Sequence, residues 1–116
     1  MIWISREVNM SEQGKQPEGY CNADKYLTLI STKWTAHIVW LLGQTNEIRF
    51  GQIQKQLALV SSKVLSERLK LLSKEGFIWR RQEETVPVTV YYGLTEKGKE
   101  LADIVDIIVK KSDSWG

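Results

Sequence analysis

Ser61-Ser62-Lys63-Val64-Leu65-Ser66-Glu67-Arg68-Leu69-Lys70-Leu71-Leu72-Ser73-Lys74-Glu75-Gly76-Phe77-Ile78-Trp79-Arg80-Arg81 is the stretch on which the fold turns. Two serines suited to capping open it, and Gly76 closes it, so it reads as a helix from Ser61 or Ser62 to about Glu75. At 100° per residue, Leu69 and Leu72 fall within about 40° of Leu65 and form an apolar stripe. Ser66, Lys70, Lys63, Lys74 and Glu67 fall between about 100° and 200°, on the opposite side. Arg68 sits at about −60°, beside the stripe, within reach of either a phosphate or a carboxylate.

Working toward the N-terminus, Ala58 to Val60 is a brief turn. Gly51 to Leu57 is a short helix with Ile53 and Leu57 facing inward, preceded by Arg49-Phe50-Gly51 as an extended lead-in. Ser31 or Thr32 is expected to cap an earlier helix carrying Trp34, Ile38, Leu41 and Leu42, which Gly43 to Glu47 ends. Asn22 or Asp24 caps the first helix, ahead of Tyr26, Leu27, Leu29 and Ile30. Residues 1 to 20 read as an arm, because Gly14, Pro17 and Gly19 stand among polar residues. Met10 is an alternative translation start.

Toward the C-terminus, Phe77 to Gln82 and Val86 to Leu94 are strand candidates. Pro87, lacking an N–H, suits the loop or edge between them. Thr95 caps a last helix with Leu101, Ala102, Ile104, Val105, Ile107, Ile108 and Val109. Two helices, a tight turn, a serine-opened helix and a hairpin together predict an α+β, mainly α fold: a winged helix-turn-helix with a two-stranded wing and a C-terminal dimerisation helix. Residues 21–116 form that domain, with dimerisation helices. The last helix's apolar arc is wider than packing on its own domain requires, so a partner helix is preferred over one large core.

The chain has 116 residues, 42% hydrophobic and 26% charged, which suits one globular domain. Net charge is only +2, yet Ser61 to Arg81 holds six basic residues against Glu67 and Glu75. That segment is therefore +4 and the remainder −2, so basic charge gathers on the serine-opened helix and the wing base. A helix fits the major groove and reads base edges from its N-terminal half. On that basis Lys63 and Ser66 are candidates for base contact. Ser61, Ser62, Lys70, Arg80 and Arg81 are candidates for phosphate contact, with Arg68 as the ambiguous member. A winged helix that binds proteins instead of DNA is the alternative, favoured by modest charge and by Glu83 and Glu84 near the wing tip.

One cysteine, Cys21, allows no intramolecular disulfide and suits a reducing cytoplasm. The N-terminus lacks a signal peptide's pattern, and no apolar run approaches the ~20 residues of a membrane helix. One histidine, His37, and one cysteine make no ordinary zinc cluster. No phosphate-binding glycine loop or paired acids are found, so no catalytic residue, metal or cofactor is assigned. Trp34, Trp40 and Trp79 are either core residues or the lining of a small-molecule pocket.

From Cys21 onward the chain resembles the HxlR family of winged-helix regulators, relatives of the MarR type. The matching stretches are Cys21 with Tyr26-Leu27 and Leu29-Ile30, Lys33-Trp34, Arg49-Phe50-Gly51, and Ser62 with Val64-Leu65-Ser66 and Leu69. Glu75-Gly76-Phe77-Ile78, Val86-Pro87 and Tyr92-Gly93-Leu94-Thr95-Glu96-Lys97-Gly98 complete the set, in order, over about four-fifths of the chain. The resemblance implies a transcriptional regulator, a homodimer on a two-fold operator in double-stranded DNA, and a signal such as an electrophile, an oxidant or a small metabolite. Cys21 occupies the family's N-terminal cysteine position. It is either a redox-sensing thiol, its pKa lowered if Lys25 and Lys33 sit close, or a small buried hydrophobe. Where the family often has a basic residue after the wing proline, this chain has Val88 and Thr89, so the wing is expected beside the backbone and not deep in the minor groove.

Overall fold

The computed structural model describes residues 20–116. The expected arm, apart from Tyr20, lies outside the described residues, as do the Met1-or-Met10 question and the Cys21 side chain. Of the described residues, those up to Ser31 belong to one unit and Thr32–Gly116 to another.

The first unit contributes α1, Tyr20–Ser31. The helix begins two residues before Asn22, so neither Asn22 nor Asp24 is its cap; both are exposed inside it. Ser31 Oγ donates to the Thr28 carbonyl in its last turn.

In the second unit, α2 spans Thr35–Gly43. Its N-cap position is Trp34, not Ser31 or Thr32, and Trp34 stands in the left-handed region at φ 76°. Ser31 is spent on α1, and the Thr32 carbonyl accepts the Thr35 N–H at 3.0 Å, which turns the chain before α2 can start. The strand β1, Ile48–Arg49, leads into α3, Phe50–Gln56. Phe50 and Gly51 are thus helical and not extended. No Ser, Thr, Asp or Asn marks this start. Gln52 supplies the cap instead, its Oε1 accepting the Arg49 N–H at 3.0 Å.

The helix α4, Ser62–Lys74, opens with the Ser61 Oγ accepting the Val64 N–H at 3.1 Å. It closes in a Schellman arrangement: Gly76 at φ 83°, its N–H bonded to the Ser73 carbonyl, and the Phe77 N–H bonded to the Leu72 carbonyl. The hairpin β2, Ile78–Glu83, and β3, Thr89–Leu94, pairs Ile78 with Leu94 and Glu83 with Thr89. β3 starts at Thr89, later than the Val86 expected: the ladder ends at Glu83↔Thr89, and Val86 is fully exposed at the wing tip beyond it. β1 adds a third antiparallel strand through Ile48↔Tyr92 and Arg49↔Tyr91, giving the order β1-β3-β2.

Ile38, Val39, Leu42, Ile53, Leu65, Leu69 and Leu72 form the centre of the core, each at most 2% exposed. Trp34, Trp40 and Trp79 are only half-buried. Trp40 Nε1 donates to Asp106 on the last helix, and the Trp79 ring fills the space above Gly93, where a Cβ would collide with it.

The last helix, α5, spans Glu96–Trp115. Thr95 does double duty at its start: Oγ1 accepts the Gly98 N–H at 3.0 Å and donates to the Gly76 carbonyl at 2.6 Å. Lys97 Nζ donates to the Glu75 carbonyl at 2.8 Å and lies 4.4 Å from the Phe77 ring centre. A cation there also suits the negative end of α4. Gly98 rests directly on the Phe77 carbonyl, which a Cβ would strike. These contacts clasp the C-terminus of α4 to the N-terminus of α5. Beyond the clasp, Ala102 and Val105 are buried, while Ile104, Ile107 and Ile108 are each more than half exposed.

Candidate nucleic-acid interface

The leucine stripe of α4 is buried against the core, so its opposite side faces out: Lys63, Ser66, Glu67, Lys70 and Lys74 are all exposed. Among the described residues none of these lysines forms an ion pair. Ser62 is held from the preceding helix, its Oγ accepting Gln54 Nε2 at 2.6 Å. That bond ties α3 to the start of α4 across the turn. Gln54 gave no signal in the sequence, since a polar residue eight positions before a serine has no periodic meaning.

Between α4 and β2 lies a cleft of about 420 Å³, lined by Ser66, Lys70, Ser73, Lys74, Arg80 and Tyr92. Arg80 shares its face of the hairpin with Ile78 and Tyr92, and that face is turned to α4. Three cations from two elements thus converge on one groove with no carboxylate in its lining. Lys74 belongs to this cluster because it follows Lys70 by one turn. Arg80 joins them only through the packing of the sheet on the helix.

Arg81 points to the opposite face. Its guanidinium carbon lies 4.6 Å from the Tyr91 ring centre. Nη1 and Nη2 grip Glu47 at 2.9 and 3.3 Å, and Nε donates to Glu83 at 3.1 Å. The hydrogen bond from Arg81 holds the Glu47 carboxyl below its usual pKa, and Glu47 in turn raises that of Arg81. Arg81 therefore spans the sheet from β2 across β3 to the loop before β1. Arg68 also turns back on the fold: Nε donates to the Lys33 carbonyl at 2.8 Å, and Nη1 lies 3.8 Å from Glu67. The site residues read from the sequence thus separate into two groups. Ser61, Ser62, Lys63, Ser66, Lys70 and Arg80 belong to the α4 surface and its cleft, Arg80 also donating to the neutral Gln82 side chain at 3.2 Å, while Arg68 and Arg81 are bonded to the Lys33 carbonyl and to Glu47 and Glu83 outside that cleft. Among the described residues no group of His, Cys, Asp or Glu is arranged to hold a metal ion.

Residues 29–116 match the HxlR-like helix-turn-helix family. The chain is 40% identical over 92 residues to YvaP, an HTH-type transcriptional regulator of Bacillus subtilis, covering 79% of this chain and 84% of that one. Among solved structures, a MarR-family transcriptional regulator of Porphyromonas gingivalis superposes with a TM-score of 0.72 at 32% identity, covering 83% of this chain and 93% of that one. The reduced form of the B. subtilis regulator YodB superposes with a TM-score of 0.68 at 30% identity, covering 78% and 87%. An exposed, capped helix between a tight turn and a wing, in a chain matched over residues 29–116, leaves one assignment: this protein belongs to the HxlR-like family of winged helix-turn-helix transcriptional regulators.

Proposed function

We propose that the protein is a homodimeric, sequence-specific DNA-binding regulator whose α4 helices enter successive major grooves of a two-fold operator. The convergence of Lys70, Lys74 and Arg80 on one cleft carries this reading. A duplex presents a negative charge about every 1.7 Å along its axis, and phosphates seated in such a cleft release their counterions. Lys63 and Ser66, near the start of α4, are assigned to base edges; Ser61 and Ser62 to phosphate at the helix start; Lys70, Lys74 and Arg80 to the backbone. Arg81, gripped by Glu47 and Glu83, and Arg68, whose Nε is bonded to the Lys33 carbonyl, are assigned to positioning.

Two reading heads need a rigid link, with half-sites about 34–36 Å apart. The exposed Ile104, Ile107 and Ile108 on α5 support a helix-to-helix dimer. The same reading places the protein in the cytoplasm with the chromosome; no helix among the described residues is long and apolar enough to cross a membrane. For regulation we propose an electrophile or oxidant acting on Cys21. Supporting it, YodB has been solved in a quinone-bound form, and the structurally similar HypR is described as a redox regulator in its oxidized form.

Titration of a mixed-sequence duplex at several salt concentrations tests the central claim. A DNA binder with Z phosphate contacts gives log K falling with log salt at a slope near −0.9Z. Lys70→Ala with Arg80→Ala is expected to weaken all sequences alike, whereas Lys63→Ala or Ser66→Ala relaxes preference by roughly 1–3 kcal/mol at a contacted base. Absence of salt-dependent binding would return the protein to the class of winged helices that dock on other proteins. Replacing Ile104 and Ile108 with Glu is expected to yield monomers by sedimentation, and Cys21→Ser to abolish oxidant-driven operator release.

A further inference from the structure

A second cleft lies on the other side of the wing hairpin, between α3 and β3, lined by Arg49, Phe50, Gln52, Lys55, Val88 and Thr89. Its position follows from the sheet order. β2 is the edge strand beneath α4, while β3 is central and lies beside α3. β1 pairs with β3 only at Tyr92 and Tyr91, so the β3 edge at Thr89 and Val90 continues past the last β1 residue with no strand beside it among the described residues. The chain leaves that edge to enter α3, and the gap between them is the cleft.

Arg49 and Lys55 stand on the α3 side of this gap, both exposed. Among the described residues neither forms an ion pair, and no acidic residue lines the cleft. The wing's own acids do not pair with them: Glu83 is bonded to Arg81, and Glu84 accepts from Gln82 Nε2 at 3.5 Å. The hairpin is thus flanked by two basic clefts, Lys70, Lys74 and Arg80 along β2 and Arg49 with Lys55 along β3.

From this arrangement we infer that Arg49 and Lys55 bind a second run of backbone phosphates of the same duplex, so that the wing is held by sugar-phosphate backbone on both sides. The inference rests on the reading of α4 as the DNA-facing helix. It explains how a wing with Val88 and Thr89 near its tip can be fixed on DNA without a basic residue there: the charge is supplied from α3, next to the wing. Contacts of this kind carry no base information and act through electrostatics alone.

The test compares salt dependence in three variants of the full chain on one mixed-sequence duplex. Arg49→Gln with Lys55→Gln is expected to lower the slope of log K against log salt by about 1.8, at about 0.9 per phosphate. Arg49→Lys with Lys55→Arg, which keeps both charges, is expected to restore the slope; a merely structural role in α3 would not follow charge in this way. Lys70→Ala with Arg80→Ala serves as the reference for the first cleft. If that reference lowers the slope and the Gln pair does not, the second cleft does not hold phosphate, while the α4 reading stands. If neither lowers it, both fall. A Gln-pair loss that the charge-keeping pair fails to restore likewise overturns the inference.

Discussion

Replacing Gly98 with Ala puts one methyl group where the α4–α5 clasp has no room. An added Cβ meets the Phe77 carbonyl oxygen well inside van der Waals contact, and that neighbour is backbone, unable to rotate away. Relief requires the first turn of α5 to lift from the start of β2. Lifting weakens the Thr95 N–H bond to Phe77 and the Thr95 Oγ1 bond to Gly76, each worth about 1 kcal/mol. Overpacking adds roughly 1–3 kcal/mol, and alanine's better helix propensity returns up to about 1 kcal/mol. The net expectation is a loss of about 2–4 kcal/mol, or a Tm fall of roughly 8–16 °C at about 4 °C per kcal/mol for a chain this size. Gly51→Ala is the matched control: Gly51 is also helical, and its added Cβ meets nothing within 4 Å. It is expected to be neutral or to gain up to about 1 kcal/mol. Urea and thermal unfolding of the two variants beside the parent give both values. A Gly98→Ala protein within about 0.5 kcal/mol of the parent would refute the clasp as a tight contact, since that is the ordinary scatter of surface changes.

Two further outcomes are expected from single positions. Thr35 is fully buried and its hydroxyl has no hydrogen-bond partner among the described residues, so Thr35→Val should leave stability unchanged or raise it by up to about 1 kcal/mol in urea unfolding; a clear loss would mean the hydroxyl is satisfied. Because Arg81 lowers the folded-state pKa of Glu47, the stability this pair contributes is present above the unfolded value near 4.5 and disappears as pH falls through the lower, folded one. The gap in urea midpoint between the parent and Glu47→Gln should therefore narrow on acidification from pH 6 to pH 3, and a constant gap would contradict the assignment.

Much of the local structure was legible because it is written in short-range patterns. Leu65, Leu69 and Leu72 repeat at helical spacing, so the buried side of α4 follows from three residues and one angle. Ser61, Thr95 and Gly76 announce their caps because each acts on backbone within a few positions. The starts of α2 and α3 were not legible for the same reason turned around. Trp34 in the left-handed region and Gln52 reaching back to Arg49 are devices that carry no capping residue type at the boundary. β1, only two residues long, has no periodicity to read and exists through Tyr91 and Tyr92, more than forty positions away.

The sequence by itself determined the order of the helices and the wing hairpin and which side of α4 is polar, since these depend on residues a few positions apart. Only the tertiary structure decided which basic residues face the same groove. Arg80 and Arg81 are adjacent and chemically identical, yet a strand sends neighbours to opposite faces: one meets Lys70 and Lys74, the other is held by Glu47. That outcome depends on which face of the hairpin α4 covers, a property of packing between distant segments that no local pattern encodes.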